Sequence, residues 1–324
     1  MTYQLVILEG PDGGGKSTVA QALSAKHRMR VIHHGPYKGE DGNSIGAHYV
    51  ASMFAYDDDK PGGVILDRSW LSEPIYGTVF RGGEDRIGLG RQRAIERIAL
   101  TLGAVVVLCL PPLAVCLNTW RERRGEEMLE HETQLTNVHT IYGGLGERTN
   151  MHVIKFDYTR DDVDMLWLKI KAAARPRPDG FPGGGSWDIT NKPVLLVGER
   201  ANDNKPLSDY DPDVPYVDVP FTGFGDSSAW LARKLALGGV GERSLYWVNA
   251  LDAGGQERDI TRIVRTLKPK GVITMGDVAL QVCRRQGADV TANVPHPQFW
   301  KRFHHHEDYP LIGEIAKCLT KKRS

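Results

Sequence analysis

Leu5-Val6-Ile7-Leu8-Glu9-Gly10-Pro11-Asp12-Gly13-Gly14-Gly15-Lys16-Ser17-Thr18 is an apolar run that breaks into a glycine-rich turn and ends on Lys-Ser-Thr. The run reads as a buried strand, and the residues from Ser17 to about Lys26 read as a helix. Between them, Gly10 to Ser17 completes the pattern G-x-x-x-x-G-K-S/T in the context it requires, strand before and helix after. Each part has a physical task. Gly10, Gly13, Gly14 and Gly15 let backbone N–H groups curl around phosphate oxygens. Lys16 is placed to reach the β- and γ-phosphates of a nucleotide and Ser17 to take a Mg²⁺ ion, with Thr18 counted among the ATP-binding residues of the loop. The helix points its positive end at the same anion.

Working outward, strands and helices alternate. Val64–Leu66, Val105–Leu110 and His152–Phe156 are further apolar strand candidates. Helical patterns fill the gaps, as over Arg91–Leu102, where Ile95, Ile98, Ala99 and Leu102 share a face. Such alternation predicts a parallel sheet with helices on both faces. The stretch Arg175-Pro-Arg-Pro-Asp-Gly-Phe-Pro-Gly-Gly-Gly-Ser186 is too rich in Pro and Gly for a helix or an internal strand, so it reads as a linker. Alternation then restarts. Val194–Val197, Leu245–Val248 and Gly271–Met275 read as strands; Ser227–Leu237, Asp259–Leu267 and Val278–Arg285 read as helices. The expected organisation is an α/β domain over 1–174, a linker over 175–190 and a second α/β domain over 191–324.

The chain has 324 residues, enough for two cores. Its net charge of +1 does not mark it as a nucleic-acid binder, although the stretch from His296 to Ser324 gathers Lys, Arg and His. The four cysteines form no C-x-x-C pair, which points away from a zinc site or a disulfide framework. No leader-like segment and no apolar run near 18 residues is present, which predicts a cytoplasmic protein with no membrane partner.

Two more stretches carry chemistry. Val64-Ile65-Leu66-Asp67-Arg68-Ser69 ends a strand on a carboxylate, which places Asp67 near a metal and Arg68 where an acceptor phosphate can sit. Arg121-Glu122-Arg123-Arg124 follows a helical pattern and can close over ATP as an arginine lid.

Glu9–Thr18 and Asp67-Arg68-Ser69-Trp70-Leu71-Ser72-Glu73-Pro74-Ile75-Tyr76 resemble the thymidylate kinases, and the deoxyribonucleoside kinases carry a comparable segment. The resemblance covers about residues 1–172. It implies a P-loop NTPase of the nucleotide-kinase type that uses ATP and Mg²⁺ on a pyrimidine deoxynucleoside or its monophosphate, a deoxynucleotide. By position it assigns Asp12 to the acceptor sugar, Arg68 to the acceptor phosphate and Arg121, Arg123 and Arg124 to the lid. Phe54 and Tyr76 become candidates for the base pocket. Ser17 and Asp67 become the metal residues, and a homodimer is an expectation. A phosphate acceptor needs no base, whereas a hydroxyl acceptor would be helped by Asp67, Asp12 or Glu73.

In the second half, Gly198-Glu199, Phe221, Asn249 and His296-Pro297 follow one another in an order similar to the uracil-DNA glycosylase superfamily. That resemblance implies an α/β/α domain in which Phe221 stacks on a base, Asn249 reads its edge and His296 lies near the sugar and phosphate, with Glu199 beside them. Where that family usually continues Ala-Pro-Gly after the Gly-Glu pair, this chain has Arg200-Ala201-Asn202. Three functional readings follow. One is a kinase of dTMP or 5-hydroxymethyl-dUMP. A second is a kinase of 5-hydroxymethyluridine within phage DNA, whose second domain recognises the base and makes DNA a partner in an infected bacterial host. A third is a DNA-base reader or glycosylase with a regulatory ATP-binding domain.

Overall fold

The structure, a computed structural model, describes residues 4–35, 42–55, 57–123, 129–174, 182–185, 192–200, 220–221, 226–252 and 254–320. In chain order the first elements are β1 (Gln4–Glu9), α1 (Lys16–His27), β2 (Met29–His33), α2 (Gly42–Met53), β3 (Gly63–Asp67), α3 (Ser72–Phe80) and α4 (Leu89–Thr101). There follow β4 (Val105–Cys109), α5 (Leu113–Glu122), α6 (Glu132–Gly143), α7 (Leu145–Arg148), β5 (His152–Phe156) and α8 (Val163–Ala173). The rest comprises β6 (Gly184–Gly185), β7 (Val194–Gly198), α9 (Asp226–Leu237), β8 (Leu245–Asn249), α10 (Ile260–Leu267), β9 (Gly271–Met275), α11 (Asp277–Arg285), β10 (Ala292–Val294), α12 (Pro297–Phe303) and α13 (Pro310–Thr320).

The chain divides into two compact units. The first comprises Met1–Gly88 and Leu102–Arg175; the second comprises Leu89–Thr101 and Pro176–Ser324. Helix α4, which the alternation assigns to the first half, therefore packs in the second unit. The reason is local. Its Arg97 is fully buried and makes two bonds to Glu242, at 3.0 and 2.5 Å, while its Gly90 lies against the backbone of Ala229 in α9.

The first sheet has the order β2-β3-β1-β4-β5 with every pair parallel. Its central strands β1, β3 and β4 are almost entirely buried, as the continuous apolar runs require when helices cover both faces. Val19, Ala20 and Leu23 of α1 and Leu166 and Ile170 of α8 pack on one face of the sheet. The second sheet has the order β10-β9-β7-β8-β6, parallel except for β6. Strand β6 corrects the linker reading in part. Gly184 and Gly185 pair with Trp247 and Tyr246 at the sheet edge, where a two-residue glycine strand needs no packed side chains.

The strand ends matter most. In open parallel sheets ligands bind beyond the carboxyl ends of the strands. In the first unit those ends carry Glu9, His33 and Asp67; in the second they carry Gly198 and Asn249. No helix among the described residues is long and apolar enough to cross a membrane.

Candidate functional site

The glycine-rich loop lies between β1 and α1. Gly10 has φ 147° and a Cβ there would overlap the carbonyl oxygen of Cys109, so only glycine fits the turn out of β1. Gly15, with φ 84°, precedes α1, and a Cβ on it would overlap the Tyr158 ring. Lys16 is buried and its Nζ donates to the carbonyl oxygens of Gly10 and Pro11 at 2.9 and 2.8 Å. Burial, and then the neighbouring Arg68, push its pKa below the ordinary lysine value. The loop therefore closes on its own ammonium group, and that group is free to exchange two carbonyls for phosphate oxygens.

Asp67 stands beside the loop with 2% exposure. Its Oδ2 accepts from Ser17 Oγ at 3.3 Å and lies 2.9 Å from His33 Nδ1. Its Oδ1 is buried without a hydrogen-bond partner. A buried unpaired carboxylate oxygen next to a hydroxyl is costly alone and is a good hard ligand for Mg²⁺. Ser17 and Asp67 thus fit the ion that the loop pattern implies.

On the far side of the loop, Arg68 pairs with Asp12 and donates to Tyr76 Oη at 2.7 Å, with its guanidinium 4.9 Å from the ring centroid. Burial raises the Tyr76 pKa, so the phenol stays protonated. Glu73 receives Arg81 at 3.0 Å and Arg86 at 2.9 to 3.1 Å, and Tyr49 Oη donates to it at 3.4 Å. Two guanidiniums on one carboxylate leave a net positive charge at the wall. His34 Nδ1 lies 3.0 Å from His48 Nε2, and burial, with His48 and His33 nearby, lowers the His34 pKa to about 4. His34 is therefore neutral at neutral pH.

These groups line one cavity of about 720 Å³ that runs from Gly13–Thr18 past Asp67 and Arg68 to Tyr76, Arg81 and Arg86. The sequence candidates Asp12, Gly13, Gly14, Gly15, Lys16, Ser17, Thr18, Asp67, Arg68, Tyr76 and Arg123 all line it. Gly10 supports it through its carbonyl. Phe54 and Arg121 are not among its lining residues; Arg121 instead pairs with Glu132 at 2.7 Å on the surface. Arg124 lies outside the described residues. Sequence reasoning passed over His33, His34, Tyr49, Arg81, Arg86, Thr119 and Tyr158, which also line the cavity. One signal was present: Arg81-Gly-Gly-Glu-Asp-Arg86 is a glycine turn bounded by two arginines directly after the Asp67–Tyr76 segment.

The second unit gathers a different set. The Phe221 and His296 ring centroids are 5.5 Å apart, and those of Phe221 and Trp247 6.3 Å apart. Phe221 has φ 57°, and its carbonyl oxygen accepts from Arg97, whose guanidinium lies 4.1 Å from the Trp247 ring centroid. Asn249 is 2% exposed at the end of β8, next to Gly198, and Leu251 N–H donates to the Glu199 carbonyl at 2.9 Å. His296 caps α12, its Nδ1 accepting from Gln298 N–H at 3.2 Å. Burial lowers its pKa, against Glu199, so the neutral ring carries its proton on Nε2.

No family model and no curated protein matches the chain. Among solved structures it is similar to the YorR protein from Bacillus subtilis in complex with phosphorylated GDP, with 21% identity over 53% of this chain and 99% of that one, at a TM-score of 0.42. It is also similar to deoxyadenosine kinase from M. mycoides with bound dCTP, with 16% identity over 52% of this chain and 100% of that one, at a TM-score of 0.35.

Proposed function

We propose that the chain is a Mg²⁺-dependent phosphotransferase that moves the γ-phosphate of ATP to a pyrimidine deoxynucleotide of the thymidine type. One observation carries this reading: the phosphate loop and a wall of paired guanidiniums face a common cavity, joined by the Asp12–Arg68 pair. Phosphoryl transfer needs positioning and charge more than covalent help. Gly13 to Thr18 and Lys16 would hold the donor phosphates, with Tyr158 beside the loop for the donor's ring. Arg68, Arg81 and Arg86 would hold and neutralise the acceptor. Mg²⁺, bound by Ser17 and Asp67, would shield charge between the phosphates. The acceptor oxygen forms a bond to the γ-phosphorus as the bond to the ADP oxygen breaks. The resemblance of Glu9–Thr18 and Asp67–Tyr76 to thymidylate kinases supports the thymidine-type acceptor.

The gathering of Phe221, Trp247, Asn249 and His296 in the second unit favours a second reading, in which the acceptor is the hydroxymethyl oxygen of 5-hydroxymethyluridine in DNA. Ring stacking and a buried amide suit a base turned out of a duplex. Transfer of label from γ-³²P-labelled ATP decides, with dTMP, thymidine, 5-hydroxymethyl-dUMP and duplex DNA containing 5-hydroxymethyluracil offered in parallel. Label on mononucleotides upholds the first reading, and label on DNA alone the second. ATP hydrolysis without labelled acceptor overturns both.

A further inference from the structure

The Glu9 carboxylate takes no part in the roles described so far, yet it lies under the acceptor side of the cavity. It ends β1 and is fully buried. Its Oε1 accepts from Ser69 Oγ at 2.6 Å; its Oε2 accepts from Ser72 Oγ at 2.7 Å and Tyr142 Oη at 2.9 Å. The three donors come from the turn after β3, the start of α3 and the last turn of α6. All are neutral hydroxyls, and among the described residues the carboxylate forms no ion pair, Arg68 favouring its charge only through space. A buried carboxyl without an ion partner is costly, and burial does raise the Glu9 pKa. An apolar residue would fill the space more simply, so a specific use is the natural explanation.

That use is visible one residue away. Arg68 has φ 75°, in the left-handed region that a non-glycine residue occupies only when its surroundings hold it there. Two bonds hold the turn. Arg68 N–H donates to the Leu8 carbonyl at 3.0 Å, and Ser69 Oγ donates to Glu9. Leu8 and Glu9 thus grip Arg68 and Ser69 as a pair. Ser69 Oγ also accepts from Leu71 N–H at 3.2 Å, which fixes the hydroxyl's direction. Released from this grip, Arg68 would relax toward ordinary backbone angles, and its guanidinium would swing away from Asp12 and Tyr76.

We propose that Glu9 is a positioning residue that holds Arg68 in its left-handed conformation through Ser69, and so fixes the guanidinium that receives the acceptor. The proposal rests on the phosphotransferase reading for its kinetic consequence but not for its structural one. It also explains why Glu9 directly precedes the phosphate loop: one strand end then sets both the donor loop and the acceptor's arginine.

The test compares Ser69→Ala, which removes the link to Glu9 together with the bond from Leu71 N–H, with Glu9→Leu, which removes every acceptor, and Glu9→Gln, which keeps a carbonyl oxygen. Steady-state kinetics on the full chain should show the acceptor KM raised about tenfold in Ser69→Ala, with the ATP KM changed less than twofold. Glu9→Gln should recover most of what Glu9→Leu loses. The double variant Ser69→Ala/Arg68→Gln should be no worse than Arg68→Gln alone, since both act through one guanidinium. A merely structural role would instead lower the active fraction, reducing kcat with both KM values unchanged and adding to Arg68→Gln. That result overturns the proposal. If the wild-type protein transfers phosphate to no acceptor, the phosphotransferase reading fails by itself. Crystal structures of Ser69→Ala and the wild type then decide: φ of Arg68 leaving the positive region upholds the proposal, and φ staying near 75° overturns it.

Discussion

The first unit surrounds its cavity with charge: Lys16, Asp67, Arg68 with Asp12, and Glu73 between Arg81 and Arg86. The second unit gathers rings and an amide near its strand ends, Phe221, Trp247, His296 and Asn249, and keeps one fully buried ion pair, between Arg97 and Glu242, beneath them. Two buried carboxylates away from the cavity wall, Glu9 and Glu242, show the same contrast in reverse. Glu9 in the first unit is met by hydroxyls; Glu242 in the second is met by a guanidinium and the Trp247 indole N–H at 3.0 Å. Charge that faces a cavity is available to a ligand. Charge sealed beneath a site can only hold the site's shape.

The largest effect should come from breaking the sealed pair. Arg97→Met leaves Glu242 buried and uncompensated, and should cost about 3–5 kcal/mol of unfolding free energy in the second unit. Adding Glu242→Leu should restore much of that loss. Hydrogen exchange at β8, read beside β1, checks it: exchange rising at β8 while β1 stays protected supports two separate cores. Equal loss in both would break the comparison. Because Arg97 also holds the Phe221 carbonyl, the double variant should fold yet leave Phe221 less ordered.

Next comes the charge that faces the first cavity. Lys16→Ala should lower transfer by roughly 10²–10³-fold, the loss typical of a donor aimed at developing charge. Transfer that survives would remove the loop from the reaction. On the acceptor wall, Arg81→Ala or Arg86→Ala should raise the acceptor KM by roughly 10- to 100-fold, as expected for losing a hydrogen bond to a charged group. The ATP KM should be unmoved. Equal effects on both substrates would mean that these arginines only support Glu73.

How far the sequence reaches differs between the two units for a physical reason. Strands β1, β3, β4, β7, β8 and β9 were legible because each is buried on both faces and so reads as an unbroken apolar run. Strand β2 was not, since Met29-Arg30-Val31-Ile32-His33 is a half-buried edge strand whose polar residues break the pattern. With it went His33 and His34. The phosphate loop and Asp67-Arg68 were legible because neighbours in sequence share the task. Tyr158 reaches the cavity from the turn after β5, where no spacing announces it, and Arg81 and Arg86 are marked only by the glycine turn between them. Helix α4 misled because its amphipathic pattern states that a face is buried, not which unit buries it.

A smaller effect separates the two functional readings. Asn249→Ala should leave transfer to mononucleotides within about twofold, and under the DNA reading should cost roughly tenfold on duplex substrate, the worth of one buried hydrogen bond. Silence on DNA would reduce the second unit's cluster to a structural role and make the contrast one of packing alone.

The smallest effect is a pH dependence that both units share in sign and differ in range. His34 and His296 each hold a pKa below the ordinary 6.5, because burial disfavours the charged ring. Below pH 6.5 the unfolded chain therefore binds a proton that the folded chain refuses. Stability from each histidine is fully present above pH 6.5 and is lost as pH falls from 6.5 through the folded value. For His34 that loss continues to about pH 4, because His48 and His33 oppose a charge that Asp67 alone favours. For His296 the loss ends sooner, since the ring is only half-buried and Glu199 favours the charged form. Urea midpoints measured from pH 8 to pH 4 should thus flatten in His34→Asn down to about pH 4, and in His296→Asn over a window that opens below pH 6.5. Asparagine at 296 can still cap α12, so the change reads the proton and not the helix. If both variants keep the wild-type slope, the rings are not held neutral by burial. If His296→Asn flattens the curve as far down as His34→Asn, the second unit keeps its histidine as far from water as the first, and the difference in burial between the two rings would not set where they titrate.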